Sequence, residues 1–589
     1  MTALPDLAFK DHRPEQTVAR IKEILAAHGI DTTEVWYLSG VPQCHSVHIG
    51  IAGTPFGANG KGITKELTLA SGYGELMERL QLGYLVKSDW QKGSLPGGEA
   101  SADLRLSPEE LPQLSLYCSL AQDATGAPLT EQELLKQYTD PDGKISVTAF
   151  TDAGTGETVY LPTGLCRSVY TTNGCAAGNT MAEAMVQAIS EIVERTYKKK
   201  ILSDGIAAPE VSEDVLRSYP IAWEIIDFLR QKEFHVSVRD CSLGSKFPVV
   251  CVCLVDRRTG RYHTHFGAFP HFEIALQRTL TESFQGRTLE KIGQYENFCP
   301  STADAQSLRY LMNELVRGTS EKTPEFFLAD TSNHIPTVGF SGRDNRALLA
   351  ECLEFFREQG LQVLVRDCSC LGFPTCQILI PGYSEVFPHR LSPRHNDLRY
   401  STYAKPVLRD PAAARPDQIM GYLMHLSQTT DPSSSFLAQA NLAAEISPRE
   451  DAYLRYLALA HIHYSIGKLA EARKALENAV PLAPVEEAEY LICLKRYLDL
   501  SRSSYSQEKI RAILTYFHRA QTVTRMYALL QAKQNPLNPV VLCCHEQCNP
   551  DCRLFAACRQ RDCIKLSQTI HKKQLQLKQA SLRDLLGSL

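Results

Sequence analysis

A chain of 589 residues, 44% hydrophobic and 22% charged with a formal net charge of −4, has an ordinary globular composition and room for two to four domains. The near-neutral balance argues against recruiting nucleic acid or membrane through bulk charge. No run of about 18 apolar residues offers a transmembrane helix, and the opening residues lack the apolar core of a secretory leader, so a cytoplasmic protein is expected. Over residues 1–405, strand-like runs alternate with amphipathic helices. Helices are predicted at 64–86, 180–200, 222–232, 272–288 and 345–359. Strands are predicted at 247–255 and 361–366, both β-branched and bounded by Gly or Asp. The alternation carries no G-x-x-x-x-G-K-[ST] and no convincing G-x-G-x-x-G after a strand, so any nucleotide must be held by another device. From about residue 410 the pattern becomes helical only. Residues 453–486 fit one tetratricopeptide unit, with Tyr456, Leu459, Ala460, Tyr464, Gly467, Ala472, Ala479 and Pro484 at the expected places. Residues 485–500 read as the first helix of a degenerate second unit. The fold class is therefore mixed α/β (α+β), followed by an all-α tetratricopeptide-like domain and a Cys-rich tail. The boundaries are 1–405, 406–535 and 536–589.

Two segments repeat one pattern. Asn59-Gly-Lys-Gly-Ile-Thr leads into a helix carrying Ser71, Glu75, Glu78 and Arg79. Asn173-Gly-Cys-Ala-Ala-Gly-Asn-Thr leads into a helix carrying Gln187, Glu191, Glu194 and Arg195. The i, i+4, i+7 spacing puts the polar residue and both glutamates on one side of each helix. Four clustered carboxylates raise each other's pKa unless cations neutralise them, and oxygen-rich clusters suit Mg²⁺ that also holds phosphate. The adjoining arginines can contact phosphate or clamp the carboxylates. The glycine turns offer backbone N–H groups and a helix N-terminus to an anion. A single such helix would read as an ordinary surface element; two matched copies do not. A third helix adds Arg278 and Glu282, by themselves only a common i, i+4 ion pair.

Together these residues resemble the YcaO family of ATP-utilising enzymes, whose nucleotide-site signatures are S-x-x-x-E-x-x-E-R, Q-x-x-x-E-x-x-E-R and R-x-x-x-E. The resemblance covers roughly residues 5–405 and implies a YcaO domain that binds ATP between these helices. It implies Mg²⁺ on Glu75, Glu78, Glu191, Glu194 and Glu282, and further nucleotide contacts at Lys10 and Thr17, with Thr where Ser is the expected residue. Such enzymes activate the amide of a peptide or protein substrate: a nucleophile adds to the carbonyl and ATP phosphorylates the resulting oxyanion. The outcome is an azoline when the nucleophile is a side chain, or a thioamide when it is sulfide. The chain ends in Ser581-Leu-Arg-Asp-Leu-Leu-Gly-Ser-Leu589 and not in the proline-rich terminus typical of the azoline-forming branch. The expectation therefore moves toward stand-alone members associated with ribosomal-protein β-methylthiolation, assisting a RimO-like radical methylthiotransferase. The family also implies a homodimer.

Thirteen of the nineteen cysteines are spread over residues 44–493 and read as reduced, mostly buried thiols, Cys368, Cys370 and Cys376 among them. The other six crowd between Cys543 and Cys563. Cys544, Cys548 and Cys552 share one helical face, and Cys558 or Cys563 could supply a fourth ligand for Zn²⁺ or an iron–sulfur cluster. A metal-free tail and a persulfide-carrying thiolate are alternatives. His45 and His48 read as structural or substrate-facing. Two other readings of the whole chain compete with the amide-activating enzyme. One is an accessory protein whose shape is fixed by bound ATP; the other is a glutamate-rich metal-binding fold without nucleotide chemistry.

Overall fold

The computed structural model describes residues 9–84, 104–111, 143–292, 321–328, 334–385, 414–428, 447–531 and 559–577, with isolated positions between these runs. The N-terminal unit opens with helix α1 (Pro14–Ala27) and a three-stranded antiparallel sheet: β1 (Thr32–Leu38), β2 (His45–Ile51) and β3 (Gly57–Gly62). Helix α2 (Lys65–Gln81) follows and packs on β2 and β3, burying Tyr73, Leu76, Met77 and Leu80 against Val47, Ile49, Ile21 and Leu25. Helix α2 stops at Gln81, short of the expected residue 86, and Gly83 follows with φ +75°.

A second sheet is made of β4 (Leu104–Leu106), β5 (Ile145–Asp152), β6 (Thr158–Pro162), β7 (Cys175–Ala177), β11 (Leu364–Asp367) and β12 (Thr375–Leu379). Its order is β4-β5-β11-β12-β7, with β6 on β5, and every pairing is antiparallel. Helix α3 (Met181–Asp204) leaves β7 and is closed by Gly205 at φ +64°. Helix α4 (Pro220–Gln231) leads to a third sheet, β10-β9-β8, made of β8 (Phe234–Asp240), β9 (Val249–Asp256) and β10 (Tyr262–Ala268). The run predicted at 247–255 is its central strand and is buried on both faces, which is why the residues read as a continuous apolar stretch. Helix α5 (Phe272–Glu282) and helix α6 (Asn345–Glu358) complete the unit. Helix α5 ends six residues before the expected 288, where the chain turns through Gly286 (φ +68°), whose N–H donates to Ser46 Oγ at 2.8 Å.

One construction occurs three times. Gly62, Gly178 and Gly342 each lie two residues before a helix N-cap. The capping side chains of Thr64, Thr180 and Asp344 accept from the N–H groups of Leu67, Glu183 and Ala347. Added Cβ atoms at the three glycines would lie 2.9, 2.6 and 2.7 Å from the backbone N of Thr68, Ala184 and Leu348. The chain entering each helix therefore lies too close to the first helical turn for any side chain between them. The sequence showed two of these units; the third, ahead of α6, has Phe355 at the place in its helix where the first two have Glu75 and Glu191.

Between residues 410 and 531 the described helices are α7 (Pro416–Gln428), α8 (Pro448–Ser465), α9 (Leu469–Ala479), α10 (Val485–Leu500), α11 (Gln507–Phe517) and α12 (Ala520–Gln531), around a core of their own. Helices α8 and α9 form a hairpin whose turn uses Gly467 at φ +74°, with Ala460, Ala472 and Ala479 buried between the helices. Tyr453 donates to Glu487 Oε2 at 2.6 Å and ties α8 to α10. The last helix, α13 (Gln560–Gln576), lies within the expected tail but packs on the N-terminal unit: Leu566 and Ile570 join the core of α1 and α2. No helix among the described residues is long and apolar enough to cross a membrane.

Candidate functional site

One cavity of about 300 Å³ opens between α2, α3, α5 and the N-terminal segment. All twelve residues expected from sequence to contact a nucleotide line it: Lys10, Thr17, Ser71, Glu75, Glu78, Arg79, Gln187, Glu191, Glu194, Arg195, Arg278 and Glu282. The motif helices are thus two walls of one chamber, and α5 is the third. An apolar margin comes from Phe9, Ile63, Leu67, Phe269 and Phe373.

The arginines act first on their own glutamates. Arg79 lies 3.2 Å from Glu78 and 3.6 Å from Glu75, and Arg195 lies 2.7 Å from Glu191. Arg278 donates instead to the Gln187 carboxamide, joining α5 to α3. Glu78 Oε1 and Glu191 Oε1 are buried and, despite these ion pairs, receive no hydrogen bond; nor does the buried Gln277 Nε2 make one. Burial pushes the Glu78 carboxyl up to about 8, with Arg79 pulling it down and Glu191 and Glu75 adding to the rise. Burial and the neighbouring Glu282 push Glu194 up to about 7. Glu75 is also raised, chiefly by burial. Burial works against the Arg79 guanidinium, yet Glu78, Glu75 and Glu191 hold its pKa above the ordinary value.

Glu282 behaves oppositely. Burial disfavours its charge, but Lys61 on β3 and His265 on β10 hold its carboxyl well below the usual range. Lys61 Nζ makes a close ion pair with Glu282 Oε2, and His265 Nε2 lies 3.5 Å from Oε1. At the other end, the N-terminal segment is tied to the start of α3. Lys10 Nζ lies 3.3 Å from Glu183 Oε1, Thr17 donates to Asn179 Oδ1 at 2.7 Å, and Asn179 Nδ2 donates to Glu183 Oε2 at 2.9 Å. Asn345 at the start of α6 donates to Phe9 O at 3.0 Å and Asp11 Oδ1 at 2.9 Å.

Several lining residues escaped the sequence reading. Lys61 and Asn179 lie inside the two glycine turns and passed as turn residues. Glu183 follows Thr180 at capping-box spacing, a signal that was available. Gln277 carries no local signal, and neither does His265, which reaches Glu282 without lining the cavity; only the tertiary fold brings β10 against α5. Of the expected Zn²⁺ or iron–sulfur ligands, Cys544, Cys548, Cys552 and Cys558 lie outside the described residues. Cys563 is buried on α13. Cys368 and Cys376 are buried as expected, whereas Cys370 is half-buried; burial pushes the Cys368 thiol up to about 11 and that of Cys370 to about 12. His48 makes a 2.8 Å hydrogen bond with Asn59 at the first glycine turn.

The donor set suits a hard cation carrying phosphate: carboxylate oxygens without hydrogen bonds, carboxyls whose pKa burial has raised, and arginines within reach. Among the described residues no three His, Cys, Asp or Glu side chains converge closely enough to bind an ion by themselves.

The family model described as YcaO cyclodehydratase, ATP- and Mg²⁺-binding, matches residues 59–384. The ribosomal protein S12 methylthiotransferase accessory factor YcaO of Escherichia coli K12 is 32% identical over 395 residues, 64% of this chain and 66% of that protein. An uncharacterized protein of Haemophilus influenzae is 30% identical over 413 residues, 66% of this chain and 68% of its own length. The match to the Escherichia coli relative thus spans just under two thirds of that protein. Among solved structures, a heterocyclase in complex with substrate and cofactor aligns with TM-score 0.49 and 23% identity, covering 64% of this chain and 53% of that one. YcaO from Methanopyrus kandleri bound with AMPPCP and Mg²⁺ aligns with TM-score 0.41 and 20% identity, covering 64% of this chain and 93% of that one. With a family model matched across more than half its length and a 30% identical relative covered over more than two thirds, the chain belongs to the YcaO family.

Proposed function

We propose that this chain binds ATP with Mg²⁺ in the chamber between α2, α3 and α5, and uses it to activate the amide of a peptide or protein substrate or to support β-methylthiolation of a protein by a radical methylthiotransferase. The observation that carries the reading is that three motif sets, far apart in sequence, line one cavity with carboxylate oxygens that lack hydrogen bonds. Glu75, Glu78, Glu191, Glu194 and Glu282 are the residues that would hold Mg²⁺. Ser71, Arg79, Gln187, Arg195, Arg278, Lys10 and Thr17 would contact the nucleotide. When bound, Mg²⁺–ATP supplies a phosphoryl group that turns an amide oxygen, otherwise a poor leaving group, into a good one.

The chain's own contribution is positioning and charge. Arg79 and Arg195 keep Glu78 and Glu191 oriented, Arg278 locks Gln187, and the Lys10–Glu183 and Thr17–Asn179 contacts hold the N-terminal segment over the chamber. Phe9, Phe269 and Phe373 exclude water from one margin. We assign the ATP-binding unit to residues 1–405 and a tetratricopeptide-like docking unit to 406–535. The α8–α9 hairpin with its buried alanines supports the second assignment.

A second reading keeps ATP binding without turnover, the chain acting as an accessory protein; that the Escherichia coli relative is a methylthiotransferase accessory factor favours it. Release of ADP and phosphate by the purified chain with Mg²⁺, compared with Glu75→Ala and Glu191→Ala, tests the proposal. Hydrolysis lost in both variants supports amide activation. ATP bound but never split, even with candidate substrates, supports the accessory reading, and absence of ATP binding by the wild type defeats both.

A further inference from the structure

The chamber holds its six glutamates against five lysine and arginine side chains. Arg79 and Arg195 pair with acids on their own helices, Lys10 reaches Glu183 from the N-terminal segment, and Arg278 binds the Gln187 amide. Lys61 also leaves its own element. It rises from β3, ahead of α2, and crosses to the Glu282 carboxylate on α5. Its charge also lowers the pKa of Glu75 on α2, while Glu282 and Glu191 raise it, so its field reaches carboxylates on more than one wall. The backbone behind it is fixed. An added Cβ at Gly60 would lie 2.1 Å from Thr68 O and one at Gly62 would lie 2.9 Å from Thr68 N, so β3 is pressed against α2. The N–H of Lys61 itself donates to Ser71 Oγ at 3.4 Å. Glu282 is braced from its other side by His265.

We propose that Lys61 is a placeholder cation. In the ligand-free protein its ammonium occupies the position between Glu282 and the α2 carboxylates that Mg²⁺ takes when a nucleotide arrives, and it then swings to the phosphate oxygens. The inference rests on the nucleotide reading of the chamber and deepens it by making metal binding conditional on nucleotide. The physical argument is charge balance. A divalent ion entering alone must displace an ammonium already paired with Glu282 and expel it toward Arg79 and Arg195. Entering with a polyphosphate, it brings the anion that Lys61 needs as its new partner. A flexible four-carbon stem carrying a compact charge suits a residue that changes partners; a guanidinium fork does not.

The test uses Mn²⁺ as the probe, followed by electron paramagnetic resonance, on the full chain and on Lys61→Met and Lys61→Arg. Wild type is expected to bind Mn²⁺ at least about 100-fold more weakly alone than with a non-hydrolysable ATP analogue. Lys61→Met should bind Mn²⁺ alone about 10-fold or more tighter than wild type, while binding the Mn²⁺–analogue complex more weakly because a phosphate partner is gone. Lys61→Arg should keep the weak binding of metal alone. The proposal is overturned if wild type takes up Mn²⁺ equally well with and without the analogue, a measurement that needs no variant to fold. It is also overturned if folded Lys61→Met binds Mn²⁺ alone no better than wild type while wild type still binds the analogue. Failure of wild type to bind the analogue at all would instead remove the nucleotide reading beneath it.

Discussion

Replacing Glu78 by Gln should make the ligand-free protein less sensitive to rising pH. A carboxyl whose pKa is raised on folding binds a proton in the native state that the unfolded chain has already lost. Stability is therefore fully present below the unfolded value of 4.5 and lost as pH rises through the folded value. Glu78 at about 8 and Glu194 at about 7 both act in this direction. Burial lowers His263 and His265, so their penalty falls below pH 6.5, and the buried thiols begin to matter above pH 8. Between pH 6.5 and 8 the two glutamates therefore dominate, each costing on the order of 1 kcal/mol by linkage, Glu78 the more. Urea unfolding followed by far-ultraviolet circular dichroism should show wild type losing roughly 2 kcal/mol across that window, and Glu78→Gln losing less than half as much. The same protons should leave when a cation enters. At pH 7 Glu78 is mostly protonated and Glu194 partly so, so calorimetry in two buffers of different ionisation enthalpy should record release of about one proton or more on binding Mg²⁺–nucleotide. Stability that is level or rises between pH 6.5 and 8, or proton uptake on binding, would refute the assignment of these two groups.

Gly60→Ala should cost about 3 kcal/mol or more, read as a fall in melting temperature, because its Cβ would lie 2.1 Å from the backbone oxygen of Thr68 and cannot be relieved by a side-chain shift. Gly74→Ala meets nothing within 4 Å and sits inside a helix, so it should raise stability by about 0.5–1 kcal/mol while placing a methyl group at the wall of the chamber; the measurement is a melt paired with nucleotide affinity. Gln81→Ala removes an amide that donates to Phe373 O at 2.8 Å and accepts from Leu371 N–H at 2.7 Å, and should destabilise by about 2–4 kcal/mol in denaturant titration. Thr180→Ala deletes the cap of α3 and should cost about 1 kcal/mol, with a further loss of nucleotide affinity because Asp11 loses its partner there.

The chamber was legible because its chemistry repeats. Glutamates at i and i+3 followed by arginine, on two helices that each follow a glycine turn, are a local pattern, and local patterns survive without coordinates. The role of Arg278 and Glu282 was legible only by resemblance, since a lone i, i+4 pair has no direction. What the sequence hid depends on tertiary approach. Lys61 looks like a turn residue until α5 is brought against β3, and His265 looks like one more strand side chain. The third glycine–cap–helix unit, with Gly342 and Asp344, was obscured because Phe355 stands where the first two helices carry Glu75 and Glu191, while the backbone geometry is kept. Helix α13 was masked for a different reason: cysteine content drew attention to metal chemistry, whereas Leu566 and Ile570 at i, i+4 were the residues that place it.

That last helix also sets a clock. Gln574 Nε2 donates to Gln81 O at 2.9 Å, across 493 residues of chain. At roughly 5–20 residues per second, the ribosome takes about 25–100 s to travel between them. Throughout that interval the outer side of α2 has emerged without its closing partner, so the N-terminal unit cannot reach its final packing as an early cotranslational product. Its maturation is coupled to completion of the polypeptide, and a ribosome that stalls late leaves the chamber's first wall incompletely supported even though every residue lining it has been made.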